Sequence, residues 1–207
     1  MDPKNGSAGD PGEAPEPPGP SRDRPAPALL VDSANACVQF VKRAVGVTLD
    51  FTPETLSVLD HYLTTAAAEA RGKPQALELL AQTAAAYLGE VIRRRFEAWW
   101  HGPGDDLSTF HLRFEHVYLM LSPYELTAIA LGMPGREEGF EAGFVIEEAE
   151  LEELGQHLAR LPEVSEEEFR LLTTRYDVLE IVLDQLKARA DAGGLGEVSF
   201  NDADYEG

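Results

Sequence analysis

The sequence contains one cysteine, Cys37, among its 207 residues. A single thiol cannot form an intramolecular disulfide or a cage of thiolate ligands around a metal. This composition favours a reducing compartment, and we expect a cytoplasmic protein. Cys37 shares an apolar helical stripe with Ala34, Val38 and Val41. We therefore interpret it as a core residue and not as a nucleophile.

Long apolar runs are also missing. No stretch approaches the roughly 18 apolar residues that a membrane-spanning helix needs, and residues 1–27 lack the apolar segment of a secretory signal. Residues 1–28 instead contain eight prolines and four glycines. Such a segment buries too little surface to offset its ordering entropy, so we predict a disordered tail over residues 1–28. Because the chain lacks a long apolar run, we also predict no association with membranes.

Positive charge is scarce. The chain has 17 Lys and Arg against 37 Asp and Glu, a net charge of −20. Residues 137–207 alone hold 20 of the acidic and 5 of the basic side chains, a net charge of −15. This charge repels phosphate backbones and favours a cationic protein partner, so we expect no nucleic-acid binding. The alternative interpretation is a solvated acidic surface that only keeps the protein soluble.

The sequence shows no nucleophile elbow, phosphate loop, dinucleotide fingerprint or metal-ligand array. His111 and His116 are spaced so that they point to opposite faces of a strand, which argues against a shared metal. Residues 201–204 are similar to the start of a calcium loop but lack its glycine and its distal glutamate. We therefore assign no catalytic residue, no cofactor and no metal ligand.

The hydrophobic pattern predicts a mainly helical α+β fold with one globular domain over residues 29–192 and an acidic, flexible tail over residues 193–207. Apolar residues recur at helical spacing through most of the domain. Between residues 96 and 121 they alternate instead, which predicts a small antiparallel sheet. Ser122 and Ser165 each begin a capping box. The helix that starts behind Ser165 should continue without interruption to about Arg189.

Two segments carry a recurring pattern. They are Leu49-Asp50-Phe51-Thr52-Pro53-Glu54-Thr55-Leu56, followed by Leu59-Asp60, and Tyr87-Leu88-Gly89-Glu90-Val91-Ile92-Arg93. In these residues the chain resembles an uncharacterised family of bacterial proteins, and the resemblance covers residues 47–122. It implies a bacterial cytosolic α+β domain and supplies no catalytic residue.

Two further helices are predicted, one that begins at Thr52 and runs to about Arg71 and one that begins near Pro74. A candidate polar cleft joins them through His61, Tyr87, Glu90 and Arg93. Glu90 and Arg93 are three residues apart and can face one another on a helix. In an antiparallel helix pair, His61 could join them as a general base, giving a hydrolase or transferase with an unfamiliar site. The alternative interpretation is a surface ion pair beside a packed tyrosine.

Four aromatic residues are candidate partner contacts: Trp99, Trp100, Phe200 and Tyr205. Adjacent tryptophans on a strand point to opposite faces, so one can be buried while the other contacts a partner. The two aromatics near the C-terminus are interspersed with carboxylates, as in a linear docking peptide or a plain solvated tail.

The function that the sequence favours is a non-enzymatic acidic interaction domain, such as an adaptor, a regulator or an inhibitor of the immunity type, that binds a cationic protein. The hydrolase or transferase described above is one alternative. A domain that senses a small molecule, with a pocket between strands and helices, is another.

Overall fold

The computed structural model describes residues 21, 24–136, 139–194 and 198–206. Most of the predicted N-terminal tail, residues 1–20, 22 and 23, lies outside the described residues. Seven α-helices are present in the described part: α1 Ala28–Val45, α2 Leu56–Glu69, α3 Pro74–Arg95, α4 Pro123–Ala130, α5 Glu148–Leu158, α6 Glu166–Phe169 and α7 Leu172–Ala192. Four strands accompany them: β1 Ala98–His101, β2 His111–Phe114, β3 Leu119–Leu121 and β4 Phe144–Ile146. The predicted α+β, mainly helical fold class is confirmed.

The strands form one antiparallel sheet in the order β1-β2-β3-β4. One row of paired residues across the sheet points toward the helices: Trp100, Leu112, Leu121 and Phe144. The neighbouring row forms the outer face: Trp99, Arg113, Met120 and Val145. The tryptophans therefore point to opposite faces, because side chains alternate along a strand.

Helix α3 lies at the centre of the core and contacts α1, α2, α4 and β1. It is buried along most of its second half. Gly89 leaves room there for the indole of Trp100, since a Cβ at this glycine would lie 2.1 Å from the ring. The thiol of Cys37 is 1% exposed and belongs to the same core.

The prediction of one continuous helix behind Ser165 is wrong. The helix is interrupted between α6 and α7 at Leu171, whose ψ of 141° is extended. The capping box at Ser165 is present and starts α6. A second helix start follows because the carboxylate of Asp60 on α2 accepts hydrogen bonds from Leu172 N at 2.8 Å, Thr173 N at 3.1 Å and Thr173 Oγ1 at 2.8 Å. Asp60 thus caps α7 from a distant part of the chain.

The C-terminal segment also differs from the sequence prediction. Residues 198–206, which the sequence analysis places in a flexible tail, pack on the outer face of the sheet and end in a short 3₁₀ turn over Asp202–Tyr205. Tyr205 is 7% exposed, and burial of its ring supplies the apolar contact that orders this acidic segment. Among the described residues, no helix has the length and apolar character needed to cross a membrane.

Candidate functional site

The polar residues of α3 form a tight cluster around Glu90, which is 3% exposed. Arg93 donates to both carboxylate oxygens, from Nε at 2.8 Å and from NH2 at 3.0 Å. The indole Nε1 of Trp100 donates to Oε1 at 2.9 Å, and Arg94 lies 3.5 Å away. The predicted pairing of Glu90 with Arg93 is therefore present, but as a nearly buried ion pair.

Burial by itself would raise the pKa of Glu90. The hydrogen bonds from Arg93 and Trp100, together with the charges of Arg93 and Arg94, outweigh that effect and lower the pKa below its usual value. The carboxylate is thus held ionised and saturated with donors. A general base needs a free lone pair and a pKa near the working pH, and Glu90 has neither property.

The structure places Tyr87 elsewhere, against the loop that precedes α2. Its hydroxyl accepts from Phe51 N at 2.9 Å and lies 2.6 Å from Thr55 Oγ1. The rings of Tyr87 and Phe51 stack at 4.9 Å, and Arg94 covers Phe51 with its guanidinium carbon 3.9 Å from the ring centre. Phe51 has a positive φ of 65° and is the only described non-glycine residue that does. These contacts stabilise the left-handed backbone at that position.

His61 does not join this group. Its side chain is exposed on α2, whereas Tyr87 is 0% exposed and Glu90 lies in the core. The structure brings Glu90 and Arg93 together and directs Tyr87 toward Phe51. The four candidate residues do not line a common cleft in this arrangement.

The two sequence segments, residues 49–60 and 87–93, therefore meet in space. Phe51 and Thr55 contact Tyr87, while Gly89 and Glu90 both accommodate Trp100, one by leaving space and the other by accepting its N–H. These contacts are part of the packing of the core.

The candidate partner contacts largely contact one another. Trp99 is 3% exposed and packs edge-on against Tyr205 at 5.8 Å. Tyr205 stacks on Tyr118 at 4.8 Å, and Phe200 lies edge-on to Tyr118 at 5.9 Å. Trp100 is partly exposed on the other face. The tryptophans thus differ in burial, and each contacts other residues of the chain; a partner contact of Trp100 stays a prediction.

Asp202 is a site residue that the sequence analysis missed. Its Oδ1 accepts from Trp99 Nε1 at 2.8 Å and Arg113 NH1 at 3.1 Å, and its Oδ2 accepts from Arg24 NH1 at 2.8 Å. Burial tends to raise the pKa of Asp202, but the Trp99 hydrogen bond and the two arginines lower it overall. The local sequence marks this aspartate only as part of the stretch similar to a calcium loop, because its partners come from three remote segments.

The acidic surface lies on α5, α6, α7 and their connections. Eleven carboxylate side chains are exposed in this region: Glu147, Glu148, Glu152, Glu153, Glu163, Glu166, Glu167, Glu168, Asp177, Asp184 and Asp191. Arg175, in contrast, is 0% exposed. Arg189 is engaged by Glu150, with Nε 2.9 Å from Oε2, and by Glu153. Arg160 and Lys187 are exposed, so two exposed cations stand beside eleven exposed carboxylates, and the surface keeps a strong negative charge.

His111 and His116, the two histidines considered for a shared metal, have different neighbours. His116 lies 2.7 Å from Glu97 and 3.0 Å from the carbonyl of Val198, while His111 packs against His101 at 5.2 Å. Burial lowers the pKa of His111 and of His101. No cluster of three or more possible metal ligands occurs within the described part of the chain.

Three of the surface cavities lined by the described residues are similar in size. One of about 280 Å³ lies between α5 and α7 beside Arg189. Another, of about 300 Å³, lies between α7, Tyr118 and Phe200. The third, of about 310 Å³, is on the outer face of the sheet beside Met120 and His111. Each is at the small end of the range for ligand pockets, and none of the three is lined by Glu90 or His61.

Comparison with known proteins supplies no further assignment: no family model, curated protein or solved structure matches the chain.

Proposed function

We propose that this protein is a non-enzymatic interaction domain that binds a cationic protein partner through the surface formed by α5, α6, α7 and their connections, hereafter the acidic face. The observation that carries the proposal is the exposure of the eleven carboxylates described above, in a region where two cations, Arg160 and Lys187, are exposed beside them. Such a surface attracts a basic partner over distances of about 10 Å at ordinary ionic strength.

An apolar patch within the acidic face adds a point of contact. Leu161 and Val164 are 37% and 50% exposed on the connection between α5 and α6, and Glu163 lies between them. Charged rims steer association and set specificity, while apolar contacts at the centre supply affinity. The combination fits a partner that presents apolar side chains surrounded by Lys and Arg.

The hydrolase or transferase alternative gains no support from this geometry. Glu90 is saturated by Arg93 and Trp100, and His61 is exposed and apart from it. The proposal of a binding role follows from the exposed surface instead.

The test is capture of partners from the native cytosol by the immobilised full-length chain, with elution by increasing salt. We expect basic proteins to be retained at low salt and released as ionic strength rises, since screening weakens the attraction. A variant with Glu152→Gln, Glu163→Gln, Glu166→Gln and Glu167→Gln should lose them, because it removes four charges from the acidic face.

A matched control removes four charges from another part of the chain: Asp2→Asn, Asp10→Asn, Glu13→Gln and Glu16→Gln. Both variants have the same net charge, so a partner specific to the acidic face stays bound to the control alone. Equal capture by both variants, or capture that does not respond to salt, contradicts the proposal.

A further inference from the structure

The outer face of the sheet gathers positive charge in a chain that is otherwise strongly acidic. Two arginines supply this charge: Arg113 projects from β2 and is 5% exposed at its side chain, and Arg24 arrives from the segment before α1. His101 lies beside them at the end of β1, and because burial lowers its pKa it adds no charge at neutral pH. Trp99 lies among them, with the guanidinium carbon of Arg24 4.4 Å from its ring centre. We call these four residues the cationic groove.

The cationic groove is filled by residues 198–206, which carry three acidic side chains and no basic one. Asp202 accepts three hydrogen bonds from the groove, two of them from arginines, which are the strong, charge-assisted kind. His101 lies 3.9 Å from the same carboxylate.

Tyr205 anchors the other end of the segment. Its hydroxyl reaches the backbone of the β2–β3 connection, donating toward Phe114 O at 2.8 Å or Val117 O at 3.0 Å and accepting from Phe114 N at 3.2 Å. Arg113 lies over its ring, 5.1 Å from the centre. A buried aromatic anchor and a paired carboxylate are the features by which grooves recognise short peptides.

The segment is built as a self-contained ligand. The Asn201 side chain accepts from Ala203 N and the Asp204 side chain accepts from Asn201 N, so the turn that spaces Asp202 and Tyr205 is held by its own residues. One backbone hydrogen bond joins Phe200 N to Glu115 O. Three glycines stand between α7 and the segment, at positions 193, 194 and 196.

We propose that the cationic groove is a recognition site for acidic peptides in which an aspartate is followed three residues later by a tyrosine, and that residues 198–206 occupy it as a tethered, exchangeable ligand. The partner that fits is a protein segment with the same two anchors, which gains access when the tethered copy is displaced. This site is distinct from the acidic face and does not depend on the function proposed for it.

Tethering sets the conditions of the test. Because the segment is covalently joined to the domain, its effective concentration at the groove is roughly millimolar, so a free peptide competes poorly with the intact chain. A protease site inserted between residues 195 and 196 of the full-length protein removes this advantage after folding. The cut protein is then titrated with a fluorescently labelled peptide of residues 198–206.

We expect the cut protein to keep its circular dichroism spectrum and to exchange its own segment for the labelled peptide in a saturable manner. Peptides with Asp202→Ala or Tyr205→Ala should bind roughly tenfold or more weakly, because each loses an anchor. A scrambled peptide of the same composition controls for net charge. In the domain, Arg113→Gln should weaken binding, while Arg160→Gln, which removes an exposed cation outside the groove, should not.

Three results overturn the proposal. Unfolding on cleavage shows that residues 198–206 are an integral part of the fold. A folded, cut protein that never exchanges its segment shows that the groove is closed to other ligands. Equal binding of the scrambled peptide shows attraction by charge alone.

Discussion

At the scale of single residues, Gly89 shows how one missing side chain positions another residue. The indole of Trp100 occupies the space where a Cβ would lie, and its N–H then reaches Glu90. In the sequence, this glycine is marked only by its place in the segment Tyr87 to Arg93. The need for a glycine at this position follows from the packing of β1 on α3.

Replacing Gly89 by alanine should therefore destabilise the protein. A Cβ 2.1 Å from the Trp100 ring forces the strand or the helix to shift, at a cost of roughly 2–3 kcal/mol in the free energy of unfolding. Urea unfolding measures the loss. Gly155→Ala on α5 is the matched control, because its Cβ would meet only Phe140 at 3.5 Å, so the gain in helix propensity should leave stability unchanged or raised. Equal effects of the two changes would contradict the packing argument.

Glu90 yields a prediction about pH. Its pKa is lower in the folded chain than its ordinary value of 4.5, so the ionised form stabilises the fold above that pH, and this contribution disappears as the pH falls through the folded pKa. Glu90→Gln should cost about 2 kcal/mol at pH 7. The difference from the wild type should shrink on acidification. Urea midpoints between pH 7 and pH 3 test this, and a constant difference would refute it.

At the scale of elements, the break between α6 and α7 depends on one carboxylate from another helix. Asp60 is 7% exposed and binds the first amides of α7. Burial raises its pKa, although the hydrogen bonds from Leu172 and Thr173 oppose that effect. Asp60 thus stabilises the start of α7 at a position where the local sequence pattern predicts the interior of one long helix.

Substitutions of Asp60 should lower the stability of the protein by different amounts. Asp60→Ala leaves the amides of Leu172 and Thr173 without an acceptor and should cost about 2 kcal/mol, while Asp60→Asn keeps one oxygen and should cost less. Hydrogen exchange at the two amides should rise most in the alanine variant. Asp32→Ala, at an exposed position on α1, is the control and should change neither exchange nor stability. An unchanged exchange rate in Asp60→Ala would rule out the capping role.

The elements differ in how far the sequence predicts them. Capping signals and apolar spacing locate the helices well, because these are local properties; Ser165 caps α6 as expected. Strand β4 is missed because three residues, Phe144 to Ile146, are too few to show alternation. The α6–α7 break and the docking of Tyr205 are missed for another reason: their partners lie 112 and 86 to 91 residues away in the chain.

At the scale of the whole molecule, charge is distributed unevenly over two surfaces. The acidic face exposes carboxylates that have few cationic neighbours, while the cationic groove gathers arginines from distant segments under an acidic peptide. Composition predicts the first surface, since the charge is concentrated in one part of the chain. The second depends on tertiary structure and has no counterpart in the charge count.

A net charge of −20 predicts that salt stabilises this protein. Repulsion among the carboxylates opposes the compact state, and counterions screen it. Raising sodium chloride from about 0.01 M to about 0.5 M, where the screening length falls below 10 Å, should raise the melting temperature. The variant with four glutamines on the acidic face should show a smaller rise. A melting temperature that falls with salt would show instead that the ion pairs at Glu90 and Asp202 dominate.

The enclosure of Cys37 has a consequence for the chemistry of the intact molecule. Burial raises the pKa of its thiol to about 12, so the reactive thiolate is scarce at neutral pH and shielded from reagents. Alkylation of this sulfur would report the frequency with which the helices separate. For the same reason, a covalent dimer found in an oxidised preparation would be a record of molecules that had come apart before they crosslinked.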